Sequence, residues 1–269
     1  MSAPGDGAVR RVRARHIDWV RERLSARDWA VITVFEHVRL VSGRHFDQLC
    51  FHDLGGRSRT VVRGRVLHRL VRWRVLQTLD RRVGGSAGGS AAATFCLDSV
   101  GEVLLVERLG GSRGRQATVP GVRFIAHSLA ITDVYAGLAA AAGRGWQLDN
   151  FQAEPGCWWP DGLTGQLKPD AYLVLSRPGA RDHWWLEVDR GTESLPTLRR
   201  KLTSYLAFVD RGQLGPDGVV PRVLVTVLTP ARLAAVRDLI NSLPAPAEQL
   251  LMVALHDAAA LSLLSLLRE

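Results

Sequence analysis

Residues 167–194 read LKPDAYLVLSRPGARDHWWLEVDRGTES, and where their carboxylates fall decides how the second half of the chain folds. Residues 168–176 and 183–189 are rich in aliphatic and aromatic side chains, and each predicts a strand. With residues 172–175 and 184–188 lying side by side, the two-residue period of a strand sets Glu187 and Asp189 on one face, and Asp170 at the start of the neighbouring strand. Three convergent carboxylates suit a hard divalent cation. Such an ion activates water and neutralises the charge that develops during phosphodiester hydrolysis. The expected metal site is therefore Asp170, Glu187 and Asp189 holding Mg²⁺, with Mn²⁺ as a substitute.

Working outward, an alanine-rich helix is expected over 124–142, ended by Gly143, and a strand over 146–154. After the acidic strand come a helix over 195–210, a strand over 222–228, a helix over 231–243, a strand over 250–255 and a last helix over 258–267. The order α-β-β-β-α-β-α-β-α predicts an α/β (α+β) domain with a central mixed sheet flanked by helices. Trp158, Trp159, Trp184 and Trp185 read as core beside strand residues, with base stacking as the alternative.

Charge divides the chain. The total is +9, yet residues 1–82 hold 18 arginines against eight acidic residues, a net of +10, while the remainder holds 17 basic and 18 acidic residues, a net of −1. A basic N-terminal third is the electrostatic footprint of phosphate binding; the bland alternative is a solvated surface coloured by base composition. Three helices are expected there: from Asp28 as a cap to about Val41, then over 44–51, and from Ser58 to Arg72. Two strands over 75–80 and 94–97 follow, joined by a Gly/Ser-rich tip. That order is a winged helix-turn-helix, whose third helix enters the major groove of double-stranded DNA. Arg57, Arg59, Arg63, Arg65 and Arg69 on that helix, with Arg81 and Arg82 in the wing, are the candidate DNA contacts. Residues 1–24 read as a basic arm, 25–107 as the DNA-binding domain, 108–122 as a linker and 123–269 as the second α/β domain.

LKPDAYLVL (167–175), WLEVDRGTES (185–194), the HSLAITDVY segment of the alanine-rich helix and the pair Lys201 and Tyr205 together resemble the replication-relaxation family of plasmids and mobile elements. The resemblance covers most of residues 28–210. It implies a winged-helix region followed by a PD-(D/E)xK restriction-endonuclease-like domain, and a role in replication and relaxation of plasmid DNA. It also implies Asp170 and Glu187 as metal-binding carboxylates, with Glu154 as a helper. That nuclease pattern wants a lysine two residues after the glutamate, to orient the attacking water and offset negative charge, which Asp189 cannot do. Lys201, one of only two lysines in the chain, is the candidate replacement on the following helix; the alternative is an ion pair with Glu193 or Glu187.

Cys50, Cys96 and Cys157 are scattered and lack C-x-x-C spacing, so neither a disulfide framework nor a zinc site is expected. His127, His183 and His256 form no paired-histidine motif, which disfavours a zinc hydrolase and a tyrosine-linked relaxase using Tyr205. No P-loop, dinucleotide or serine-hydrolase motif is present. The N-terminus lacks a signal-like apolar segment, and the run 250–267 is broken by His256 and Asp257, so a cytoplasmic location without a membrane span is expected. Double-stranded DNA, replication proteins and a second copy of the chain are the expected partners. Two functions fit: a DNA-binding replication or relaxation protein with metal-dependent nicking activity, or a non-catalytic DNA-binding regulator with a degenerate nuclease-like domain.

Overall fold

The computed structural model describes residues 12–79, 93–110, 122–143 and 145–266. Its N-terminal part contains α1 (Ala14–Arg21), α2 (Ala26–Thr33), β1 (Val41–Ser42), α3 (Gly43–Leu49), α4 (Gly56–Arg72), β2 (Leu76–Leu79), β3 (Thr94–Leu97) and α5 (Ser99–Leu109). Then follow α6 (Val122–Ala141), β4 (Gln147–Ala153), the short pair β5 (Trp159–Pro160) and β6 (Gln166–Leu167), β7 (Ala171–Arg177), β8 (Ala180–Asp189) and α7 (Leu195–Asp210). The chain ends with β9 (Arg222–Val227), α8 (Pro230–Asn241), α9 (Ala247–Leu250), β10 (Leu251–Leu255) and α10 (Ala259–Leu266). Arg81 and Arg82, the Gly/Ser tip and most of residues 108–122 lie outside the described residues.

The architecture is mixed α/β, as the pattern of periods implies. A five-stranded sheet of order β10-β9-β8-β7-β4 is parallel through β10, β9 and β8 and antiparallel through β8, β7 and β4. Alternation sorts its side chains. Ala171, Leu173, Leu175, Trp184, Leu186 and Val188 join the apolar cluster that includes α6. Tyr172, Val174, Trp185 and the β9 valines Val223, Val225 and Val227 join a second cluster with α7, α8 and α9. Trp184 and Trp185 are therefore both core residues, fully buried on opposite faces.

In the N-terminal part, β1, β3 and β2 form a small antiparallel sheet beside α2, α3 and α4. Several starts and stops differ from the sequence expectation. Ser25, not Asp28, caps α2: its hydroxyl accepts from the Asp28 N–H, and the Asp28 carboxylate accepts from the Ser25 N–H in return. Asp28 is thereby freed to face Arg69 of α4, 2.6 Å away. Val41 lies in a strand instead of ending the first helix. The C-terminal part of the expected arm is docked: Val20 is buried, and His16 Nε2 lies 3.2 Å from the Trp73 carbonyl. Helix α5 was not anticipated, although Asp98 caps it and Gly110 closes it in the left-handed conformation. It packs so closely on the start of β2 that a Cβ at Gly101 would lie 2.2 Å from the Val75 carbonyl oxygen.

Helix α4 corrects the placement of the arginines. At 100° per residue Arg63 falls among Val66, Leu67 and Leu70, the inward stripe. It is only 3% exposed and ion-pairs with Asp47 of α3. Arg59 turns back to donate to the Leu54 carbonyl at 2.7 Å, and Arg69 is held by Asp28. Arg57 and Arg65 remain on the exposed face, with His68 and Arg72.

A single apolar cluster runs from α1 through α3 and α4 to the sheet and α10. Polar contacts follow the same path. The Thr132 hydroxyl of α6 donates to the Leu40 carbonyl at 2.7 Å, and His45 Nε2 lies 2.8 Å from Asp133 Oδ1. At the outer edge of β4, His37 Nδ1 lies 2.8 Å from the Phe151 carbonyl, and its own carbonyl accepts from the Ala153 N–H. Phe124–Ala141 is apolar and long enough to cross a membrane by length and composition, yet half of it is buried, against α3, α10, β4 and β8 among others.

Removing one partner of a buried ion pair costs roughly 3–5 kcal/mol. Asp47→Ala is therefore expected to lower the unfolding free energy of the chain by that order, whereas Arg65→Ala, on the exposed face, leaves it within about 0.5 kcal/mol. Urea titrations of the two variants, followed by tryptophan fluorescence, test the inward assignment of Arg63. Equal midpoints for both would contradict it.

Candidate functional site

The antiparallel pairing of β7 and β8 brings the start of one strand against the end of the other. The Asp170 N–H donates to the Leu186 carbonyl at 2.9 Å, and Asp170 Oδ2 accepts from the Val188 N–H at 2.6 Å. Asp170 shares its side of the sheet with Tyr172 and Val174; Glu187 shares it with Trp185, so both carboxylates are placed beneath α7. That helix is capped by Ser194, whose side chain accepts from the Thr197 N–H, with Pro196 in the first turn. Its inward face delivers Lys201 and Tyr205, one turn apart.

Lys201 reaches both carboxylates. Its Nζ ion-pairs with Glu187 Oε2 and lies 3.9 Å from Asp170 Oδ1. The Tyr205 hydroxyl donates to Glu187 Oε1. From α6, on the other side of the sheet, His127 Nε2 comes within 3.2 Å of Asp170 Oδ1. The Glu154 N–H donates to the Asp170 carbonyl at 2.9 Å, which holds the half-buried Glu154 beside the cluster.

Asp189 departs from the expected convergence. It lies one strand period beyond Glu187, where α8 supplies Arg232: Arg232 Nε donates to Asp189 Oδ2 at 2.7 Å, and Oδ1 accepts from the Gly191 N–H at 2.7 Å. The three-carboxylate site becomes a two-carboxylate site joined by a lysine. Among the described residues, no group of three or more histidine, cysteine or acidic side chains is placed to hold a metal ion. Magnesium does not require such a group, because it commonly takes one or two carboxylates and fills its octahedron with waters and phosphate oxygens. Asp170 and Glu187 fit that donor set.

Burial and the fixed charges divide the titrations. Burial pushes Glu187 up to about 8, against the opposing pull of the Lys201 ammonium and with a further push from Asp170. Burial also works to raise Asp170, but the His127 hydrogen bond, the Lys201 charge and the Val188 N–H outweigh it and hold the carboxyl below its usual range. Desolvation would lower Lys201, yet the two carboxylates raise it, so it stays an ammonium ion. His127 is likewise raised, the bond to Asp170 and the Asp170 and Glu154 charges overcoming its burial. Tyr205 is 1% exposed and raised well above its ordinary value by burial and by Glu187. Its hydroxyl is a fixed donor to that carboxylate.

His127 is the member of this cluster that sequence reasoning missed. It opens the HSLAITDVY segment, but no spacing connects position 127 with position 170. Arg232, 43 residues beyond Asp189, was equally invisible.

The fold and site define a mixed α/β protein with an acidic pair and a helix-borne lysine gathered at one end of its central sheet. The chain belongs to the replication-relaxation family, whose profile matches residues 32–223, a span that takes in α3, α4 and the whole cluster. No curated protein and no solved structure matches it.

Because Glu187 titrates near 8 in the folded chain and near the ordinary carboxylate value when unfolded, the folded state binds the extra proton between those limits. Its stabilising contribution is complete below the unfolded pKa and is lost as pH rises through about 8. His127, also raised, adds a loss of the same sign above its own unfolded value. Chemical denaturation at pH 5.5 and pH 8.5 is expected to show lower stability at the higher pH, with the difference reduced in Glu187→Gln. An undiminished difference in that variant would place the titration elsewhere.

Proposed function

We propose that this chain binds duplex DNA through the outward face of α4 and hydrolyses a phosphodiester bond at the Asp170, Glu187 and Lys201 cluster, in the replication or relaxation of a plasmid or mobile element. One observation carries the catalytic half: α7 delivers Lys201 to both carboxylates although strand position 189 holds an aspartate. A PD-(D/E)xK site needs two acidic groups and a lysine at the same point in space, and a lysine arriving from a helix satisfies that need as well as one from the strand.

Asp170 and Glu187 would hold Mg²⁺, which when bound lowers the pKa of coordinated water and offsets charge on the scissile phosphate. Lys201 adds a fixed positive charge beside the position where negative charge develops on phosphoryl oxygens. His127 orients Asp170, and Tyr205 orients Glu187.

The DNA-binding half is supported by element order and by charge. Helices α2, α3 and α4 followed by the β2–β3 pair, with β1 as a third strand, are the parts of a winged helix-turn-helix. The candidate phosphate contacts on α4 reduce to Arg57, Arg65 and Arg72, because Arg63 and Arg69 are held by Asp47 and Asp28 and Arg59 is turned to a backbone carbonyl. The non-catalytic regulator is the second reading. The direct Lys201–Glu187 contact favours it, since the ammonium and the carboxyl group satisfy one another without a ligand.

Two measurements follow. Supercoiled plasmid incubated with the chain and Mg²⁺ or Mn²⁺ is expected to be nicked; EDTA, Asp170→Ala and Lys201→Ala should each abolish nicking without reducing DNA affinity. DNA binding by the wild-type chain with unchanged topology in every metal would favour the regulator. Separately, Arg57→Ala and Arg65→Ala should each weaken binding across sequences and reduce the slope of log affinity against log salt by about 1. An unaltered slope in both would remove α4 from the DNA interface.

A further inference from the structure

The outward face of α4 has a composition that the chain's own packing does not explain. Gly64 sits in the middle of this 17-residue helix, where glycine is among the least suited of residues. A Cβ placed there would meet nothing within 4 Å, so no neighbouring element demands the missing side chain. At 100° per residue, Arg57, Val61 and His68 lie on the same side of the helix as Gly64, with Arg65 and Arg72 along one margin. Val61 is 47% exposed, and the three arginines and His68 are exposed as well. The helix contains no acidic residue.

Basic side chains along and beside one margin of a surface that also carries a gap and an uncovered aliphatic side chain fit a polyanion with an apolar floor beside its charges. The major groove of duplex DNA has that form: it admits a helix between two phosphate walls and exposes the C5-methyl group of thymine. We propose that Gly64 and Val61 are the specificity-determining pair of α4. The absent side chain at 64 lets the helix backbone sink toward the base edges, and the Val61 methyls pack on a thymine methyl while the flanking arginines meet phosphates. This rests on the DNA-binding reading above and adds to it which residues read sequence and which base they read.

Selection from a random-sequence duplex pool with the full chain, followed by titration of the selected duplex, a scrambled one and a selected duplex carrying deoxyuridine for thymine, tests the assignment. The wild-type chain should enrich a site with a required thymine and should bind the deoxyuridine duplex more weakly. Gly64→Ala should raise the melting temperature, as a helix-interior position with room for a Cβ predicts, and yet reduce the preference for selected over scrambled duplex at least about fivefold. Val61→Ala should be indifferent to the thymine-to-deoxyuridine change. A wild-type preference retained in Gly64→Ala, or no thymine position sensitive to loss of its methyl, overturns the assignment and leaves phosphate-mediated binding standing. Failure of the wild-type chain to bind any duplex overturns the DNA-binding reading itself.

Discussion

One ammonium ion facing two buried carboxylates is the constraint around which the rest of the site is arranged. Asp170 and Glu187 are 6% and 2% exposed, and two such groups cannot both be charged in an apolar interior without a counter-charge and hydrogen bonds. Lys201 supplies the charge, and Tyr205, Val188 and His127 supply the bonds. These partners come from both helical layers and from the strand between them. The docking of α7, the pairing of β7 with β8 and the approach of α6 consequently meet in one local balance of charge.

Arg63 and Asp47 repeat the arrangement on a smaller scale between α3 and α4. An arginine in the apolar stripe of a helix is costly alone, but opposite an aspartate it ties the helix to its neighbour at one rotation. The rotation matters because it decides which residues of α4 look outward. Arg57, Val61, Gly64 and His68 share that outward side only because Arg63, Val66 and Leu70 point the other way.

Much of this was legible in the sequence, for identifiable reasons. Apolar runs marked β7, β8 and β9 closely because these strands are buried on both faces, and the 3.6 period marked α7 because one side of that helix is buried. Lys201 stood out because the chain otherwise uses arginine, and the pairing of neighbouring strands set Asp170 near Glu187, while the strand period that put Asp189 on the same face could not show that Arg232 holds it. What was hidden depended on contacts between distant segments: Arg232 with Asp189, His127 with Asp170, His37 with the edge of β4. Arg63 was a different matter, since the helical period already placed it among Val66, Leu67 and Leu70, and the abundance of arginine around it drew attention to charge instead. Helix α5 carried clear terminal signals in Asp98 and Gly110, but its apolar residues VLLV run together and offer no amphipathic stripe.

The capping of β4 by His37 and the anchoring of Leu40 and His45 on α6 have a mechanical consequence. Among the described residues the N-terminal helices share an apolar core with the sheet, so α4 is linked to the acidic end of the sheet through packed side chains of α3, α6 and β4. A substitution that loosens the packing of α6 or β4 would therefore shift the outward face of α4 and the acidic end of the sheet relative to one another, so two surfaces far apart in sequence answer to one set of buried contacts.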